Sequence, residues 1–261
     1  MCRILSYYGG TSREVIGELL EGLLRVSKHD VIGILSGIDD LHPDGWGTYV
    51  RSRSRELYFR SGNAIFNEED LARSLVRSYI YEQDRILMIL HVRAASQGEP
   101  HGVEHSHPYM IRDGELKVVL AHNGAVKKRE ILEELGKEEL YAYVTDSMAL
   151  TMYIFKKLKE GRDITKIIED VMTRFTKTAL MTSIFIEHKG KMRLVITSHV
   201  SERAKHRIEY YRLFKLAHDD ILVYASSSIA HEISSRGSLL RSINIIPLPV
   251  DNYYEIIEVE F

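Results

Sequence analysis

The sequence contains one cysteine, at position 2 in Met1-Cys2-Arg3-Ile4. A thiol is only a few per cent thiolate near neutrality, so it needs a neighbouring base to become a nucleophile. Cys is small enough to permit removal of the initiator Met. The mature chain is then expected to begin with Cys2, whose own α-amine titrates near pH ~8 and can take the proton. Three further stretches carry groups that a fold does not need. Arg93 follows the apolar run Arg85 to Val92, and its planar fork suits a carboxylate. Asn123-Gly124 offers a side-chain amide and an approachable backbone N–H, two donors suited to a developing oxyanion. Asp146, in Thr145-Asp146-Ser147, supplies a carboxylate for an ammonium group.

Together these residues outline a pocket with a nucleophile, an oxygen cradle, a cation and an anion. The ligand they fit is an amino acid with a side-chain amide, glutamine. Each residue also has an ordinary explanation. Cys2 alone reads as an incidental small hydrophobe, Arg93 as a strand-end charge reaching solvent, Asn-Gly as a turn and Asp146 as a helix cap. A rival constellation lies in the loop after residue 92, where His101, His105 and His107 stand near Glu99, Glu104 and His91 as candidate metal ligands. Their spacing matches no helical ligand motif and loop histidines are commonly surface residues, so no resident metal and no cofactor are expected.

The elements that must position these groups follow from pattern. Val15, Ile16, Leu19, Leu20, Leu23 and Leu24 form a helical stripe that Thr11 or Ser12 can cap. Asn67 is expected to cap a helix to about Tyr79. The continuous run over 85–92 predicts a central strand covered on both faces. Asp113-Gly114 predicts a hairpin between 109–112 and 115–121. Helices are expected over 128–135, 146–158 and 164–176, and strands over 183–188, 192–197, 210–217, 221–226, 242–246 and 254–259. Strands, then helices, then strands without regular βαβ alternation predict an antiparallel α+β domain, two sheets with helices on both outer faces. The 261 residues show no linker or repeat, so a single domain over 1–261 is expected.

Composition excludes several classes. Net charge is -2, from 35 Lys+Arg against 37 Asp+Glu, which gives no general reason to bind nucleic acid or an acidic membrane. No apolar run of ~20 residues predicts a membrane span. One cysteine excludes an internal disulfide and, with no signal-peptide pattern, leads to the expectation of a cytoplasmic protein.

The chain resembles the class II glutamine amidotransferase domain, one of the N-terminal nucleophile (Ntn) hydrolases. The matching pieces, in the family's order, are Met1-Cys2-Arg3-Ile4, Gly45-Trp46-Gly47, His91-Val92-Arg93, His107-Pro108-Tyr109, His122-Asn123-Gly124 and Asp146-Ser147, and Ala225-Ser226-Ser227 fits a late Ser-rich segment. The resemblance implies a four-layer αββα sandwich. It implies that Cys2 attacks the glutamine carboxamide, that Asn123 and the Gly124 amide form the oxyanion hole, and that Arg93 and Asp146 bind the α-carboxylate and α-amine. It further implies that Trp46 and Gly47 line the floor or entrance, and that His107 belongs to the substrate pocket. Where many relatives have a Thr after the Arg stretch, Ala95-Ser96-Gln97-Gly98 stands here, and Ser96 is expected to take the Thr hydroxyl's role. Biosynthetic relatives carry a second domain that consumes the ammonia. Here the resemblance spans the chain, so the acceptor is expected to be a partner protein such as a synthase subunit, free water or an unidentified acceptor. Two alternatives stand beside this: hydrolysis of another γ-glutamyl amide, and a non-catalytic glutamine-binding module that retains Met1.

Overall fold

Side chains alternate across a β-strand, and that alternation decides which residues meet in this molecule. The computed structural model describes residues 2–38, 40–81, 83–236, 240 and 244–261. The first elements are β1 (Arg3–Gly10), α1 (Arg13–Lys28), the single turn α2 (Val31–Leu35), β2 (Trp46–Arg51), β3 (Glu56–Ser61), α3 (Glu69–Ile80) and β4 (Arg85–Val92). After a loop come β5 (Tyr109–Asp113), β6 (Leu116–Val126), α4 (Lys128–Leu135), α5 (Asp146–Lys159) and α6 (Ile164–Asp170). The remainder is β7 (Thr176–His188), β8 (Lys191–Val200), α7 (Ile208–Tyr211), β9 (Leu213–His218), β10 (Ile221–Ser226), α8 (Ser227–Arg236), β11 (Ile245–Pro247) and β12 (Tyr253–Glu258).

The strands form a sheet ordered β11-β9-β10-β1-β4-β2-β3 and a second ordered β12-β8-β7-β6-β5. Leu5 and Tyr7 of β1 join Met88 and Leu90 of β4 in a core against α1, α3 and α8. Ile4 and Tyr8, one residue out of step, face the other sheet with Leu87, Ile89, Val119, Ala121, Met181 and Phe185. The outer face of the second sheet, Val118, Leu120, Ile184 and Ile186, packs on α4, α5 and α6. This is the four-layer αββα sandwich of two antiparallel sheets. The Ser6 and Ser183 hydroxyls meet at 2.7 Å between the sheets.

Ser12 caps α1, accepting from the Val15 N–H. Asn67 does not cap α3. The cap position is Glu68, whose carboxylate is instead held by the Trp46 indole and the Asn63 amide. The helix expected over 164–176 ends at Asp170 and widens into a π-turn, Val171–Phe175. β7 then starts at Thr176, because Thr176 already pairs with Val126 at a bulge in β6. Tyr210 and Tyr211, expected in a strand, lie in the short α7. Ser242 and Ile243 of the strand expected over 242–246 lie outside the described residues. Among the described residues no helix is long and apolar enough to cross a membrane.

Candidate active site

Two registers bring the site together. Arg3 pairs with Val92 and Trp46 pairs with Val92, so the residues after β4 lie beside the start of β1. Across the sandwich the Cys2 N–H donates to Asn123 Oδ1 at 3.3 Å, and His91 Nε2 lies 3.3 Å from the His122 carbonyl oxygen. A pocket of about 30 Å³ results, lined by Cys2, Arg93, Ala94, Ala95, Ser96, Glu99, His107, His122, Asn123, Gly124 and Thr145 to Ser147. It adjoins a cleft of about 750 Å³ that shares Ala95, Ser96, Glu99 and Asp146 with it.

The Cys2 sulfur lies 3.9 Å from the Ala94 carbonyl oxygen. Burial pushes the thiol up from its ordinary value, and the Arg93 guanidinium pulls it back. Arg93 is buried and gives Nη2 to the Pro100 carbonyl at 2.8 Å, while Nη1 has no partner. Its backbone is clamped too: Arg93 N–H donates to Gly45 O and Asp44 N–H donates to Arg93 O. Asn123 is buried, with Oδ1 accepting from the Cys2 backbone N–H and Nδ2 unpartnered. Gly124 has φ +142°, and a Cβ there would stand 2.0 Å from the Ala179 carbonyl oxygen, so only glycine fits this turn of β6.

Asp146 opens α5, but the cap is Thr145, whose hydroxyl accepts from Met148 N–H. Asp146 Oδ2 accepts from Val126 N–H at 2.9 Å. Its other oxygen depends on one proton. Burial holds His122 neutral, with Nε2 3.2 Å from the Ala179 carbonyl and Nδ1 2.8 Å from Ser147 Oγ. The tautomer that fits both contacts donates from Nε2 and accepts at Nδ1. Ser147 then spends its proton on His122, and Asp146 Oδ1, 3.2 Å from that hydroxyl, stays free to accept from a ligand.

His107 is 3% exposed and lies between His91 and Tyr109, with ring centroids 4.1 and 4.6 Å away. Neither of its nitrogens has a hydrogen-bond partner. Ser96 is exposed at the pocket mouth. Trp46 and Gly47 are not among the lining residues. Trp46 is fully buried in the core under α1 and α3, its indole bonded to Glu68. Gly47 lies behind His107, where a Cβ would stand 2.5 Å from the His107 carbonyl oxygen. The histidine group considered from sequence disperses: His101 turns to Asp44 and His105 to Glu104, while His91 and His107 gather at Cys2.

Sequence reasoning missed what anchors Cys2. Arg3 is fully buried, with Nε donating to Asp30 Oδ2 at 2.6 Å, Nη1 to the Tyr210 carbonyl at 3.0 Å, and its guanidinium over the Tyr210 ring. Asp30 also accepts from Gly33 N–H, His42 Nε2 and Ser228 Oγ. Burial alone would raise the Asp30 carboxyl, but the His42 hydrogen bond and the Arg3 charge hold it well below the usual carboxylate range. The available signal was a lone Arg inside an apolar strand.

An αββα sandwich of two antiparallel sheets is the architecture of the Ntn-hydrolase fold. The sequence profile of the family Glutamine amidotransferases class-II matches residues 33–210, and this chain belongs to that family. None of the curated proteins searched matches the chain. Among solved structures, the allosteric regulatory enzyme of purine biosynthesis superposes with TM-score 0.59 at 16% identity, over 98% of this chain and 47% of that one. This chain therefore spans about half the length of that enzyme. A predicted glutamine amidotransferase from Pseudomonas aeruginosa PA01 aligns with TM-score 0.37 at 13% identity, over 99% of this chain and 90% of that one.

Proposed function

We propose that this chain hydrolyses the side-chain amide of glutamine with Cys2 as the nucleophile. The observation that carries this reading is a pair of buried donors without partners, Arg93 Nη1 and Asn123 Nδ2, on residues that share one pocket with the thiol. Buried donors without acceptors each cost about 1–3 kcal/mol. A carboxylate at Arg93 and an amide oxygen at Asn123 remove that cost.

In this reading Met1 is removed, so the Cys2 amine is free. Sγ attacks the carboxamide carbon as its proton passes to the amine. A C–S bond forms, and the negative oxygen is received by Asn123 Nδ2 and the Gly124 N–H, donors already set before the charge develops. The C–N bond then breaks, and the amine returns the proton to the leaving ammonia. Water cleaves the thioester to glutamate and restores the thiol. Arg93 binds the α-carboxylate and Asp146 Oδ1 the α-ammonium. The ammonia goes to water or to a synthase partner subunit.

A second substrate reading rests on the wide cleft beside the pocket. A γ-glutamyl amide with a bulky amine portion seats its glutamyl end at Arg93 and Asp146 and its amine in the cleft. Glutamate release by the purified, Met1-free protein, from glutamine and from a panel of γ-glutamyl amides, tests both. The expected result is release in the wild type and none in Cys2→Ala. Unchanged turnover in Cys2→Ala rejects the mechanism, and a marked preference for a bulky amide selects the second substrate.

A further inference from the structure

One feature of the pocket is unused by the chemistry above: a buried imidazole, His107, with both nitrogens unpartnered. His91 Nδ1 is likewise buried without a partner. One ligand atom each from Cys2, His91 and His107 lies within 4.8 Å of the others. Orphaned imidazoles carry the same desolvation cost as the orphaned donors, but the lone pair on a neutral imidazole and the sulfur of a thiol have no use for a carboxylate. They are the donor set of a metal.

We propose that Cys2, His91 and His107 form a binding site for a zinc-type d¹⁰ cation, whose occupancy caps the nucleophile. One thiolate with two imidazoles is a borderline-soft set that favours Zn²⁺ over Mg²⁺ or Ca²⁺. Tetrahedral zinc, with Zn–S ~2.3 Å and Zn–N ~2.0–2.1 Å, needs its ligands roughly 3.3–3.6 Å apart. Closure by at most roughly 1.2–1.5 Å is therefore enough. His107 can turn to supply it without breaking a hydrogen bond, because its ring makes none. As the S–Zn bond forms, the thiol proton goes to solvent. The thiolate cancels one of the two positive charges, while Asp146 and Arg93, both in the pocket lining, oppose one another. Water fills the fourth position. The inhibitory consequence rests on Cys2 being the nucleophile; the binding itself does not.

The test is titration of the full-length protein with Zn²⁺ against a chromophoric chelator, and with Co²⁺ monitored by absorption. The expected result is one equivalent bound, with a thiolate-to-cobalt charge-transfer band that Cys2→Ser removes. His107→Gln should weaken binding by more than the roughly 10–100-fold that loss of an outer-shell partner causes. Circular dichroism confirms that each variant is folded, and Cys2→Ser, a near-isosteric change, keeps the test independent of His107. No saturable binding, or binding that survives both substitutions, overturns the site. With active protein, Zn²⁺ should stop glutamate release and a chelator restore it. Binding without any turnover in metal-free protein would leave the metal site standing and sink the glutaminase reading.

Discussion

Two buried ions flank Cys2, and they differ in their partners. Asp30, fully buried, has both oxygens occupied: Oδ2 by Arg3 and His42, Oδ1 by Gly33 N–H and Ser228. Arg93, 3% exposed, spends one nitrogen on the Pro100 carbonyl and leaves another with nothing. The Asp30 carboxylate is saturated and does structural work, fixing the strand that begins one residue after the thiol, while His42 Nδ1 and the Tyr210 hydroxyl beside it stay unpartnered. The Arg93 guanidinium is open on one side, and an open buried donor is what a ligand is for. Both ions are buried, one an anion and the other a cation. What differs is the ion itself: every oxygen of Asp30 is filled, and one nitrogen of Arg93 is not.

That contrast breaks most visibly at Asp30. Asp30→Asn leaves Arg3 buried without a countercharge, which typically costs about 3–5 kcal/mol. For a chain of this size the thermal midpoint should fall by roughly 6–20 °C, read by calorimetry or circular dichroism. A loss under ~1 kcal/mol would mean the network is not a scaffold. On the open side, Asn123→Ala removes a donor that the fold does not use. Glutamate release should drop about 10²–10³-fold in kcat, or ~2.7–4 kcal/mol, as for other oxyanion donors. The thermal midpoint should move far less than in Asp30→Asn. A variant equally crippled in stability would erase the distinction between the two clusters.

Arg93→Lys sharpens the same point with a smaller effect. Lysine keeps the charge but loses the planar fork, so it cannot hold both the Pro100 carbonyl and a carboxylate. Losing one charge-assisted hydrogen bond is worth ~1.5–3 kcal/mol. KM for glutamine should rise roughly ten- to a hundredfold while kcat changes little. A change confined to kcat would assign Arg93 to the reacting end of the substrate instead.

The open cluster was more legible in the sequence than the closed one, for a physical reason. Cys2, Arg93, Asn123 and Asp146 are residue types that a strand end or helix start does not require, so they advertise themselves, and one pocket does contain all four. The αββα layering was legible as well, because alternation in β1 and β6 survives folding. The Asp30 network was not, because its partners are Arg3, His42, Tyr210 and Ser228, and only register and chain reversal bring them together. Trp46 misled through proximity. It is two strands from Cys2 in the same sheet, but its side chain falls on the face that α1 and α3 cover. His107 was legible as part of a motif, but its unpartnered nitrogens belong to three dimensions alone.

The smallest effect is read through pH. Asp30 has a folded-state pKa below its unfolded value of ~3.9, so its contribution to stability is complete above that value and lost as pH falls through the folded one. Burial lowers His42 from its ordinary value, so the unfolded chain binds that proton first, and stability declines from about pH 6.5 downward. Each group adds at most ~1.4 kcal/mol per pH unit to the slope. Chemical denaturation in chelator-containing buffers from pH 7 to 3 should show a limb below pH ~4 that is steeper in wild type than in Asp30→Asn, where paired carboxylates such as Glu56, Asp170 and Glu255 still contribute, with the shallower limb below pH ~6.5 retained. If both proteins lose stability in parallel below pH 4, the acid-sensitive carboxylate lies elsewhere, and the occupied positions around Asp30 do not stabilise its ionised form.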